Sequence, residues 1–131
     1  MTEHMGDLLG DQRLLVSQAL GDDFTSGLEG SSADSPLVVK VRLYLLEHPG
    51  TQIIGAKIEE NTGLPDIIKS LSTQMGLPEN SNLGNIKDRL YGREKSFILV
   101  FPGFNNLLPK EQKNIQKKLK MLKVGIFTDS T

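Results

Sequence analysis

The chain has 131 residues, 37% hydrophobic and 24% charged, which suits one domain with a core of its own. It has no cysteine, which leaves out disulfide frameworks, thiol nucleophiles and cysteine metal sites, and with only His4 and His48, in different contexts, a histidine-built metal or triad site is not expected. The formal net charge of -1 conceals a division: residues 1–35 carry seven acids against Arg13 alone, about -6, and the rest of the chain about +5.

No apolar run approaches the roughly 20 residues of a membrane span. Glu3, Asp7 and Asp11 stand where a signal peptide would be basic. The expectation is a soluble, cytoplasmic chain with no membrane partner. Leu8, Leu9, Leu15, Val16, Ala19 and Leu20 recur at near-helical spacing and predict a short amphipathic helix. Residues 21–35, "GDDFTSGLEGSSADS", are rich in Gly, Ser and Asp and read as a linker or mobile loop. Residues 1–35 are therefore expected to form an acidic, partly flexible segment, and residues 36–131 a single α/β domain.

Ser35 and Pro36 make an N-cap and first-turn pair, after which Leu37, Val38, Val41, Leu45 and Leu46 fall on one helical face. The same stretch, "VVKVRLYLL", alternates as a strand would, with Val39, Val41, Leu43 and Leu45 on one side. Both readings stand at this point. "TQIIGAKI" suits a buried strand, Pro65 opens a helix with Ile67, Ile68, Leu71 and Met75 on one face, and "LGNIKDRLYG" predicts a second helix. "SFILVF" has no polar residue after Ser96, as expected of a central strand covered on both faces. Pro109 starts a helix with Ile115, Leu119 and Leu122 inward, and "KVGIFT" is the last strand. Strands alternating with helices predict a small α/β fold, a three- to four-stranded, mostly parallel sheet with crossover helices. Sites in such sheets lie at the carboxyl ends of strands, which singles out Glu59, Glu60, Asn61, Pro102, Gly103, Asn105, Asn106, Thr128 and Asp129.

"GLPDIIKSLSTQMGLP", "NIKDRLYGREKSFILVFPGFNNLLPKEQ" and "KMLKVGIFTDS" resemble, in order and spacing, the middle of the nucleotide-binding core of AAA-type and related signalling ATPases, over roughly residues 51–131. That resemblance implies a phosphate loop and an acidic strand end holding magnesium. Both depart from the family pattern. The nearest glycine stretch, "GLEGSSADSP", has Ala33 and Asp34 in place of a Gly-Lys pair, and Pro102 and Gly103 occupy the acidic positions. Asp129 falls near a family sensor position, with a turn or cap role as its ordinary alternative. The resemblance thus implies a degenerate, catalytically silent relative, with no enzymatic activity and no cofactor.

The stretch "LLEHPGTQIIGAKIEENTGLPDIIKSL" also resembles the first helices of bacterial winged-helix DNA-binding proteins, with "TGLP" as the turn. It departs from them in placing Glu59 where a small buried residue is needed. Lys110, Lys113, Lys117 and Lys120 recur every three or four residues and form a basic stripe, whose alternatives are a polyanion-binding face and an ordinary solvated face. The expected function is a non-catalytic interaction or regulatory module that binds a protein partner or nucleic acid through Lys110, Lys113, Lys117, Lys120, Phe104 and Asn105. The alternatives are a nucleotide-binding protein that uses "GLEGSS" as an unorthodox phosphate loop, and a winged-helix DNA binder.

Overall fold

The computed structural model describes residues 18–28, 35–78, 80–92 and 97–129. After a helical stretch at residues 18–20 come α1 (Asp22–Leu28), α2 (Pro36–Glu47), β1 (Gln52–Gly55), α3 (Leu64–Gln74), α4 (Leu83–Leu90), β2 (Phe97–Phe101), α5 (Pro109–Leu119) and β3 (Gly125–Thr128). Short 3-10 turns follow β2, at Phe104–Asn106, and α5, at Lys120–Leu122. The three strands form one parallel sheet in the order β1-β2-β3. Ile53 pairs with Ile98 and Ile54 with Leu99, while Leu99 pairs with Ile126 and Val100 with Phe127. Ile98 through Phe101 are fully buried, so β2 is the central strand.

Because side chains alternate across a strand, the sheet serves two cores. On one face Ile54, Leu99 and Phe101 pack with Ile67 and Leu71 of α3, Ile86 and Leu90 of α4, and Ile115 and Leu119 of α5. On the other, Ile53, Ile98 and Val100 pack with Phe24 and Leu28 of α1 and with Leu37, Val38, Val41 and Leu45 of α2. The helices start where the chain provides caps. Val38 N–H donates to Ser35 Oγ at 3.2 Å. Asn82 and Asn85 exchange reciprocal side-chain to backbone hydrogen bonds, both 2.9 Å.

The outer edge of β1 is closed by side chains. Gly55 N–H donates to Gln74 Oε1 at 3.1 Å, and Gly55 O accepts from Ser70 Oγ at 2.9 Å and from Gln74 Nε2 at 2.6 Å. Gln74 thereby supplies a strand's hydrogen bonds and blocks edge-to-edge pairing there. A Cβ at position 55 would fall 1.8 Å from Val100 O, which is why the strand ends in glycine.

Residues 36–47 are helical, which decides between the two readings of that stretch: the Ser35 cap and Pro36 initiate a helix, and its β-branched residues pack as helix neighbours. Two expectations need correction. Leu46 does not join the inner face and is 55% exposed. Residues 22–28, read as part of a linker, form α1, whose Phe24 and Leu28 complete the second core. Ile126 packs against the first core but is only half-buried, because β3 is an edge strand. Of the helix predicted over residues 8–20, residues 18–20 are helical and the rest lies outside the described residues.

Candidate functional site

At the carboxyl ends of the strands the chain's polar groups are spent on one another. Ile58 N–H donates to Pro102 O at 2.8 Å, and Asn106 Nδ2 donates to Ile58 O at 3.0 Å. The Asp129 carboxylate, just past β3, accepts from Gly103 N–H at 2.6 Å and from Asn105 N–H at 3.3 Å. Asp129 is thus a cap, holding the turn after β2 against the end of β3. Gly103 has φ +81°, and a Cβ there would meet Ile58 O at 2.3 Å, so this corner requires glycine twice over. Glu59, Glu60 and Asn61 are exposed on the loop after β1, as solvated charge and turn. Among the described residues no three His, Asp or Glu side chains gather as a metal site requires.

Phe104, expected as a partner anchor, is fully buried beside Phe101, with ring centroids 6.4 Å apart. Its burial pins the turn to the first core and withdraws the ring from any partner. Asn105 stays exposed with its N–H held by Asp129. The segment Glu59–Gly63 joins β1 to α3, whereas the winged-helix alternative needs a turn between two helices. The "GLEGSS" alternative begins at Gly27 in α1, and its residues 29–32 lie outside the described residues. It leads from α1 towards α2, whereas the phosphate loop of a nucleotide-binding fold leaves the end of a strand.

The lysines come together as the sequence predicts. Ile115 and Leu119 of α5, with Leu122 of the following turn, are buried and fix the rotation of the helix. Lys110, Lys113 and Lys117 are exposed along its outer side at spacings of three and four, joined by exposed Lys118, Lys120 and Lys123. Glu111 is the one acid between Pro109 and Lys123. Lys117 and Lys118 in the last turn are favoured by the helix dipole, and so is Glu111 in the first. Lys110 sits in the first turn, where the dipole disfavours a cation. Exposed apolar residues bound the row, Leu108 before it and Met121 within the terminal turn.

One feature that sequence reasoning did not anticipate is an open groove of about 540 Å³ between α3 and α4, lined by Leu77, Pro78, Asn80, Ser81, Asn85, Asp88 and Arg89. The Arg89 guanidinium donates to Met75 O at 2.7 Å, so it serves the end of α3. None of the predicted site residues lines this groove. The chain matches no protein-family model, and no curated protein or solved structure is significantly similar to it. No helix among the described residues is long and apolar enough to cross a membrane.

Proposed function

We propose that this chain is a non-catalytic α/β interaction module that binds a polyanionic surface, nucleic acid or an acidic protein, through the lysine row on α5. The observation that carries the reading is six exposed lysines between Lys110 and Lys123 on an element whose inner face is fixed by Ile115, Leu119 and Leu122. Lys110 adds to it, since a cation in the first turn weakens the helix and needs another reason to be there. The non-catalytic half rests on the strand ends. Pro102 and Gly103 offer no side chain for metal or base chemistry, and Asp129 is occupied by two backbone N–H groups. The carboxylate at the end of β3 is thus used in holding the corner together.

The test is binding of the purified chain to heparin and to duplex DNA at 50 and 200 mM salt. Four phosphate contacts would lower DNA affinity by about a hundredfold across that range. Lys113→Glu with Lys117→Glu should weaken binding to either polyanion without altering the fold, since both side chains are exposed. Salt-insensitive binding, or binding unchanged by the double substitution, would return the row to a solvated face. Heparin binding without DNA binding would favour an acidic protein as the partner. Magnesium-dependent nucleotide turnover that survives repurification would refute the non-catalytic assignment.

A further inference from the structure

The outer side of α2 carries an apolar stripe that the described residues leave open. Leu37, Val38, Val41 and Leu45 face the sheet, leaving Val39 37%, Leu43 56% and Leu46 55% exposed. Their spacings of four and three set them in line along one side of the helix, the arrangement of a coiled-coil seam. Exposed Lys40 and Glu47 stand seven residues apart, nearly two turns, and so share one flank of the stripe with opposite charges at its two ends. Arg42, on the other flank, donates from its guanidinium to Gly27 O and is committed to α1.

From this pattern we infer that α2 pairs with α2 of a second copy of the chain, antiparallel, about a two-fold axis near Leu43. Reversal of direction brings Lys40 of each copy to Glu47 of the partner subunit, so the same patch complements itself twice. In a parallel pair the matching flanks of the two helices lie on opposite sides of the seam, so Lys40 would not reach Glu47 of the partner subunit. Tyr44 does not compete for the seam, because its ring packs edge-on against Phe127 of β3 at 5.2 Å and stacks with His48 at 4.2 Å. Three apolar side chains on a 12-residue helix make a small interface, so the dimer is weak and concentration-dependent.

Sedimentation velocity of the full chain from roughly 10 µM to 1 mM, the range for an interface below standard size, tests this. The sedimentation coefficient should rise with concentration. Leu43→Asp should abolish the rise and leave the melting temperature unchanged, since the site is open in the monomer. Lys40→Glu and Glu47→Lys should each weaken dimerisation roughly tenfold, and the two together should restore it. A chain that is monomeric throughout overturns the inference, as does a dimer indifferent to Leu43→Asp or to the single charge reversals. A monomer destabilised by Leu43→Asp would mean that the chain covers its own stripe, which also overturns it.

Discussion

The two faces of the sheet are built from different kinds of helix. On the first face α3 and α4 together cross from β1 to β2 and α5 crosses from β2 to β3, and their outer sides are polar. On the second face lie α1, seven residues long, and α2, which precedes the first strand and is apolar inside and out. Among the described residues, fifteen buried side chains line the first core and ten the second, so the crossover face carries more of the apolar burial that holds the sheet. A helix covered on one side needs only an amphipathic sequence. The two-sided apolar character of α2 implies a second surface, and the antiparallel pairing assigns it.

Substitutions in the two faces can break or sharpen this contrast. The largest effect should come from Val100→Asp, which places an unpaired carboxylate on the second face of the central strand, at a cost of several kcal/mol. That is enough to unfold a marginal domain, and a soluble variant that melts cooperatively would show that the second face is not sealed. Next, Phe101→Ala should cost about 3–5 kcal/mol in chemical denaturation, since the ring is fully buried in the first core. Phe24→Ala, on the thinner face, should fall near the lower end, about 3 kcal/mol; equal losses would mean that α1 is as integral as any crossover helix.

A smaller effect separates the strand ends from both cores. Asp129→Ala leaves the Gly103 and Asn105 N–H groups without their acceptor and should cost about 1–2 kcal/mol. Faster hydrogen exchange confined to the turn after β2 would localise that loss, and exchange spread over β3 would mean that Asp129 anchors the whole strand. The smallest change should be favourable. Ser72, fully buried in α3, has an Oγ with no hydrogen-bond partner among the described residues. Ser72→Ala removes a stranded hydroxyl and improves helix propensity, and should raise stability by roughly 1 kcal/mol. A lower melting temperature would reveal an acceptor for the hydroxyl.

The difference between the faces also explains which parts were legible in the sequence. The first face could be read residue by residue, because Ile67 and Leu71, Ile86 and Leu90, and Ile115 and Leu119 each repeat at helical spacing with polar residues between them. The lysine row was legible for the same reason: a helix with a known inner face has a known outer one. The second face was not. "VVKVRLYLL" satisfies both periods because α2 is apolar on two sides, and α1 is short, with only Phe24 and Leu28 recognisable as large apolar anchors amid Gly, Ser and Asp. Phe104 could be read either way, because a turn residue carries no periodicity that could mark it as inward.

What the sequence determined by itself was the alternation of strands and crossover helices, the centrality of "FILVF", and the helix first turns that hold Pro36, Pro65 and Pro109, where proline fixes φ and gives up an N–H that the first turn does not need. These are local properties, legible in composition and spacing. Only the tertiary structure decided that α1 belongs to the core, that Gln74 closes the β1 edge, that Asp129 caps the turn after β2 across 24 and 26 residues of chain, and that Val39, Leu43 and Leu46 face outward. Each of these depends on where distant segments meet, and no local pattern encodes a hydrogen bond between residues so far apart in the chain.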